Sequence, residues 1–245
     1  LDLLIDAGIS ASEVDIAQIK GGGNNKVFAV HTKSKKYLAK IYYSHPSDSR
    51  NRLNAEYSFL EYARKVGIKC LPKPFFSIPK KNIGLFEFVQ GRKLTSSELE
   101  VQHINQAAKF IRRLNERVEK DNALPTASEA CFSIEQHLIL TDMRVKKLLG
   151  LSIASNIDRQ AHLFISEVDS VWKKIKDSIV AKSGSISTHL NPNDRCISPS
   201  DFGFHNALLS ENGEIFFIDF EYAGWDDPAK MVGDFFSQPA IPVSL

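Results

Sequence analysis

Up to Gly91, hydrophobic and polar positions alternate in short runs separated by turn-forming residues, the period-two pattern of strands. Ile16-Ala-Gln-Ile19, Val27-Phe-Ala-Val30 and Tyr37-Leu-Ala-Lys-Ile-Tyr-Tyr43 read as three strands, joined by Lys20-Gly-Gly-Gly-Asn-Asn25 and Lys33-Ser-Lys-Lys36. The spacing then turns helical. Ser49–Val66 predicts an amphipathic helix stopped by Gly67, with Leu53, Tyr57 (or Phe59), Leu60 and Ala63 facing inward. Asn82–Gly91 returns to a strand that runs into a glycine-ended connector. Beyond it, Thr95-Ser-Ser-Glu98 is a capping-box pattern that opens a helix to about Glu119, with Ile104, Ala108, Ile111 and Leu114 inward. Ser133-Ile-Glu-Gln136 opens a second, carrying Leu138, Ile139 and Met143 to Leu149. A third covers about Gln160 to Lys182, with Leu163, Val168, Val171, Trp172 and Ile175. All three stripes predict core packing. After the short linker Ser183–Ser187, strand spacing resumes. Ala207-Leu-Leu209, the turn Ser210-Glu-Asn-Gly213 and Ile215-Phe-Phe-Ile218 predict a hairpin. The expected class is α+β: an antiparallel sheet with one helix over residues 1–90, and a mainly helical part with a hairpin over 91–245.

The hairpin changes the picture because of what flanks it. Asn206 leads into its first strand and Asp219 closes its second, so a tight turn brings both level. Asp201 lies five positions before Asn206 and can face the same space. An amide oxygen and a carboxylate at such a place can share one Mg²⁺, which takes few protein ligands beside phosphate and water. A second carboxylate can orient or deprotonate an attacking hydroxyl. The Asp-x-x-x-x-Asn spacing matches kinase catalytic loops, although spacings of that kind are common by chance. Asp201-Phe202-Gly203 also spells the metal-binding tripeptide of protein kinases. That register fails, because upstream only Asp177 and Asp194 are available, and neither has the Asn partner and apolar strand.

The N-terminal half offers complementary groups. Glycines let backbone N–H groups approach phosphate oxygens closely, so Gly21, Gly22, Gly23, Asn24 and Asn25 are candidates to cover phosphates; taken alone, the segment is better explained as a plain turn. Lys40, between Ala39 and Ile41, must snorkel out of its strand or meet an anion. Glu56, beside the inward stripe of the helix, is its candidate partner, and Glu61 reads as a surface charge. The strand ending at Gly91 is either an ordinary edge strand or a hinge. As a hinge, Glu87 to Val89 would supply carbonyl and amide to adenine.

In order, these features are glycine turn, strand lysine, helix glutamate, hinge, Asp-x-x-x-x-Asn, strand and Asp. This resembles the aminoglycoside phosphotransferase/choline kinase superfamily of small-molecule kinases, from about Ile16 to about Phe236. Gly22-Gly-x-Asn-Asn-x-Val-Phe is similar to its phosphate loop, Phe86-Glu-Phe-Val-Gln-Gly91 to its hinge and Ile218-Asp-Phe-Glu221 to its metal-binding strand end. Gly224–Ala229 with Gly233-Asp-Phe-Phe236 resembles its Gly-x-x-Pro-x-x-Asp segment, where Asp234 would be a structural anchor. The resemblance implies a bilobal protein-kinase-like fold and a kinase using ATP, or GTP, with Mg²⁺ on a hydroxyl of a small molecule. Asp201 would act on the hydroxyl, Asn206 and Asp219 would hold the metal, and Lys40, tethered by Glu56, would pair the phosphates. One departure is Pro199-Ser200, where the family usually carries His-Gly; it implies altered support for the loop. Another is Lys26 in place of a third loop glycine, and Glu221 in place of glycine argues against a flipping loop of the protein-kinase type.

Composition sets the bounds. A chain of 245 residues that is 43% hydrophobic can bury a sizeable core. A formal charge of +2, with no basic run interleaved with aromatics, argues against a nucleic-acid partner. The lysines at 33, 35 and 36 read as a hairpin tip, and Lys173, Lys174 and Lys176 as the outer face of a helix. Three cysteines at unrelated spacings, Cys70, Cys131 and Cys196, predict reduced thiols in a cytoplasmic protein rather than a disulfide framework or zinc site. No segment is apolar enough to suggest a membrane span. The start at Leu1 and the ending Ser237–Leu245 suggest a fragment. His189 and His205 read as structural or exposed. Glu221, Asp226 and Asp227 could face a cationic acceptor such as an amino sugar or amino alcohol, although Asp227 before Pro228 fits a cap or turn better; a neutral sugar stays open. The alternative reading is a nucleotide-binding scaffold without transfer activity. A protein-serine/threonine kinase is disfavoured, since neither a His-Arg-Asp triplet nor a long activation segment is present.

Overall fold

The computed structural model describes residues 2–10, 14–19, 25–116 and 123–243. Its element order is a short helix α1 (Asp2–Asp6), strands β1 (Asp15–Ile19), β2 (Lys26–His31) and β3 (Lys36–Ile41), helix α2 (Arg52–Lys65), and strands β4 (Pro74–Ile78) and β5 (Ile83–Glu87). Helices α3 (Val101–Asn115), α4 (Ile134–Leu149) and α5 (Asn156–Lys182) follow, then β6 (Cys196–Ser198), β7 (Ala207–Leu209), β8 (Ile215–Phe217), β9 (Gly224–Asp226) and α6 (Pro228–Phe236).

The first five strands form one antiparallel sheet in the order β1-β2-β3-β5-β4. Its central strand places Lys40 opposite Val27 on one side and Gly84 on the other. Side chains alternate across a strand, so Tyr37 and Ala39 join Leu3, Leu4, Val30 and Leu85 on one face, while Leu38 packs on the opposite face with the main core. Strand β4 is not foreseen by the alternation pattern. Its opening proline and a register shift between Pro74 and Phe76 blur the period, and both are tolerated because β4 is an edge strand.

Helix α2 starts at Arg52, where the Asn51 side chain accepts from the Asn54 amide at 3.0 Å. It buries Leu53, Ala55, Glu56, Phe59, Leu60, Tyr62 and Ala63, so Phe59 rather than Tyr57 completes the stripe. The capping box at Thr95 holds a 3₁₀ turn, Ser96–Glu98, and α3 begins only after Glu100. Its buried face is His103, Ala107, Phe110 and Leu114; Ile104 and Ile111 are half-buried and Ala108 is exposed. The foreseen stripe is therefore turned by about one position, which aims the ring of Phe110 into the core. Phe110 lies 4.8 Å from Phe217 and 5.5 Å from Phe202, and Phe59 stacks on Phe220 at 4.6 Å, centroid to centroid.

Close packing divides the chain into two units, residues 1–128 with 196–245, and residues 129–195, so residue 90 lies inside the larger unit. The smaller unit contains α4 and α5. As its spacing foretold, α4 is capped by Ser133, whose hydroxyl accepts from the Gln136 amide at 3.2 Å. Of the foreseen core stripes there, only Leu138 is buried and Trp172 half-buried. Helix α5 has no buried residue, and Ile139, Met143, Leu163, Val168, Val171 and Ile175 are exposed. Two helices alone cannot cover two apolar faces; α5 turns only a half-buried row that includes Ile165, Asp169, Trp172, Lys176 and Ile179 away from water. Lys176 is not an outer-face lysine either: it pairs with Asp142, which also accepts from the Trp172 indole at 2.8 Å. The cysteines form no disulfide, and burial pushes the Cys196 thiol up to about 12. No helix among the described residues is long and apolar enough to cross a membrane.

Candidate active site

The site is assembled by three pieces of the larger unit. Strand β3 supplies Lys40 and α2 supplies Glu56. The Lys40 ammonium donates to Glu56 Oε2 at 2.7 Å and to Asp219 Oδ1 at 2.5 Å. Tyr42 donates its hydroxyl to the same Glu56 oxygen at 2.6 Å. Lys40 and Glu56 are buried, whereas the Asp219 side chain keeps 40% of its surface exposed. Burial would depress the lysine, but Glu56 and Asp219 outweigh it and hold the ammonium well above its usual range. Burial pushes the Glu56 carboxyl up and Lys40 pulls it back. Hydrogen-bonded and in contact, the two groups form an ion pair.

The β7–β8 hairpin forms as its turn residues require, and the Asn206 carbonyl accepts from the Ile218 amide at 2.9 Å. Asn206 and Asp219 thereby stand at its two ends. Asp219 has φ +68°, a left-handed conformation that costs an L residue roughly 1–2 kcal/mol, with aspartate among the residues that tolerate it best. Gly91 abuts this hairpin. A Cβ there would lie 3.0 Å from Leu208 Cβ and the Leu209 carbonyl oxygen, so glycine lets the connector after β5 pair with β7 without displacing either, which it does through Arg92 and Leu209.

Asp201 precedes Phe202 and Phe204, both buried, and these rings fix the loop. Phe202 contacts Phe110, Phe217 and Phe235, and Phe204 contacts Phe235. The turn before it carries the substituted dipeptide. Ser200 has φ +65°, and its amide donates to the Ser198 hydroxyl at 3.0 Å. The Asp201 carboxylate receives Gln238 Nε2 at 2.9 Å, His205 Nε2 at 3.3 Å and Asn206 Nδ2 at 3.3 Å. The His205 bond chiefly, with Gln238 and Asn206, holds its carboxyl below the usual value against the opposing effect of burial. His205 is thus a partner of Asp201 rather than a structural or exposed residue, and Lys93 donates to its carbonyl at 2.6 Å. Gln238 has no sequence signal, since it is brought in by the segment after α6.

Gly21, Gly22, Gly23 and Asn24 lie outside the described residues; Asn25 is described and donates to Glu221 Oε2 at 2.5 Å. The Glu87 amide is committed to the Lys73 carbonyl at 2.8 Å, and its side chain pairs with Arg64 at 2.9 Å, while Val89 is half-buried just beyond the strand. Glu61 is exposed. The reading of Glu221 and Asp226 as acceptor-facing acids is corrected. Glu221 is buried against Arg52 at 2.8 Å, and Asp226 is wholly buried and paired with Lys230 at 3.2 Å. Asp227 caps α6 through the Ala229 amide at 2.8 Å, and Asp234 pairs with Lys230 at 2.6 Å.

The donor set at the hairpin ends fits a cation held mostly by phosphate. Among the described residues no group of three or more His, Cys, Asp or Glu converges on a metal site. One amide oxygen and one half-exposed carboxylate suit Mg²⁺, which keeps water and phosphate oxygens as ligands.

Solved structures share this architecture. A choline kinase from Cryptosporidium parvum Iowa II aligns with a TM-score of 0.62 at 18% identity, over 93% of this chain and 63% of its own. Choline kinase LicA from Streptococcus pneumoniae gives 0.57 at 16%, over 94% and 77%. A spectinomycin phosphotransferase in complex with ADP and spectinomycin gives 0.59 at 14%, over 92% and 69%. At these identities the likeness is one of fold, and the chain spans just under two thirds of the Cryptosporidium enzyme. No curated protein sequence matches it. The profile of the phosphotransferase enzyme family matches residues 15–230, and the chain belongs to that family.

Proposed function

We propose that this protein transfers the terminal phosphate of a Mg-nucleotide, ATP or GTP, to a hydroxyl of a small molecule. The observation that carries the reading is Lys40 held between Glu56 and Asp219 at 2.7 and 2.5 Å. It brings a strand lysine together with the end of the hairpin that begins at Asn206. In this reading Lys40 pairs the α/β-phosphates, with Glu56 and Tyr42 fixing its position. Asn206 and Asp219 would hold the metal, which would supply neutralisation of the phosphate charge. The Gly21–Asn25 segment covers the phosphates, and the Glu87 carbonyl and Val89 amide receive adenine. Asp201 orients the acceptor hydroxyl and takes its proton late. Its lowered pKa suits it to orientation more than to strong base catalysis, and positioning supplies most of the rate in this chemistry.

The acceptor class is an amino alcohol, an amino sugar or a neutral sugar, and the commitment of Glu221 and Asp226 to internal pairs removes the reason to prefer a cation. Binding without transfer is the second reading, favoured by the Gln238 amide lying on Asp201. A screen for phosphate transfer from Mg-ATP and Mg-GTP to these three acceptor classes separates the two. Product formed by the unsubstituted protein and lost in Asp201→Asn, at unchanged nucleotide affinity, is the expected result. Asp219→Ala should abolish metal-dependent nucleotide binding. Turnover that survives Asp201→Asn would refute its role, and nucleotide binding with no product from any acceptor would favour the second reading.

A further inference from the structure

A second buried ion pair lies beside the first. Arg52 and Glu56 stand one turn apart on α2 and present opposite charges to neighbouring targets: Glu56 to Lys40, and Arg52 to Glu221. Arg52 is 3% exposed and Glu221 6%. Charges buried at this depth need hydrogen-bond partners, and this pair has them on both carboxylate oxygens and both Nη atoms, while Arg52 Nε has none. Glu221 Oε1 accepts from Arg52 Nη1 at 2.8 Å and its Oε2 from Asn25 Nδ2 at 2.5 Å. Arg52 spends its other contacts on the Tyr222 hydroxyl at 2.7 Å and Asp48 at 2.9 Å, and its guanidinium lies over the Tyr222 ring at 5.1 Å. Asn25 is used at both ends, since its Oδ1 accepts from the Tyr43 amide, just after β3, at 3.0 Å. A short side chain that donates at one atom and accepts at the other is what an asparagine supplies and an aspartate does not.

We propose that Arg52 and Glu221 are positioning residues that lock Asn25, where the chain enters β2, to the backbone segment carrying Asp219. Glu221 is two residues beyond Asp219, and the segment between them is pinned by Phe220, stacked on Phe59. The residue entering β2 and the metal-holding carboxylate are therefore registered to one helix, α2, through two crossed ion pairs. The consequence for nucleotide binding rests on the phosphotransferase reading; the mechanical link does not.

The test exchanges the two polar partners. Asn25→Asp sets a carboxylate against Glu221, and adding Glu221→Gln restores a donor–acceptor pair with reversed polarity while keeping the net charge. Calorimetric titration with Mg-ADP should show affinity lowered at least tenfold in Asn25→Asp and recovered to within threefold in the double variant. Asn25→Ala, which cannot repel, should fall between. A change below twofold in Asn25→Asp, or losses that simply add in the double variant, would overturn the proposal. Should the unsubstituted protein not bind Mg-ADP, the phosphotransferase reading fails by itself. Thermal unfolding of the same variants then decides the link: a midpoint lowered in Asn25→Asp and restored in the double variant supports it, and additive losses overturn it.

Discussion

Two residues with left-handed backbone, Ser200 and Asp219, stand at the two acidic groups of the site. For Asp219 the conformation is what turns its carboxylate back to Lys40 from a strand end, so its cost is tied to the site. Ser200 has no such role, and glycine adopts its left-handed backbone without steric cost. A left-handed L residue costs roughly 1–2 kcal/mol, while glycine loses about 0.5–1 kcal/mol of that advantage through its freer unfolded chain. Ser200→Gly is therefore expected to raise stability by up to about 1 kcal/mol, read as a higher urea midpoint at unchanged slope. A lowered midpoint would mean that the serine side chain holds the turn. The legibility of residues followed the same logic. Lys40 and Glu56 could be paired from the sequence, because a lysine among strand hydrophobics needs an anion and the following helix offered one beside its apolar stripe. Gln238 and Arg52 could not. One is a lone polar residue after a helix, and the other is an arginine at a helix start, which reads as solvated until the fold buries it.

Among the elements, β9 depends on a single glycine. A Cβ on Gly224 would lie 2.2 Å from the Pro125 carbonyl oxygen and 2.7 Å from the Ala127 amide, both backbone atoms that cannot rotate away. The same stretch bonds through Trp225 to Pro125 and Ala127 at 2.9 Å each. Gly224→Ala should destabilise the protein by about 1–3 kcal/mol, the usual cost of overpacking, measured by denaturant unfolding; a loss under roughly 0.5 kcal/mol would show that the strand can shift. Element ends were legible where a cap announced them, as at Ser133. They misled where a cap closes a smaller motif: Thr95 caps a 3₁₀ turn, and the helix proper waits for Glu100. The reason is that a capping box satisfies amides of one turn and does not dictate how many turns follow.

For the molecule as a whole, the aromatic core is the platform of the site. Phe220 sits between Asp219 and Glu221, 2% exposed, and stacks on Phe59 from α2 and Phe110 from α3. Phe220→Ala should cost about 3–5 kcal/mol, as large aromatic truncations do. Phe220→Leu should recover much of the stability but weaken Mg-nucleotide binding, if the ring sets where the two flanking carboxylates point. Nucleotide affinity unchanged in Phe220→Leu would separate core packing from site geometry. The smaller unit shows the opposite condition, since a helix 27 residues long lies there without one buried side chain.

The α+β class, the strand–turn–strand order and the choice of Lys40, Glu56, Asp201, Asn206 and Asp219 as candidates came from local pattern, because alternation, capping and turn chemistry act over a few residues. Tertiary structure alone decided which charges are spent on one another. Glu221, Asp226 and His205 look available along the chain, yet burial without a partner would be too costly, and folding gave each of them one: Arg52, Lys230 and Asp201. Arg52 lies 169 positions from Glu221, a separation no local pattern reports; Lys230 and Asp201 lie only four positions from their partners, and there the fold decides that the pair forms rather than faces solvent.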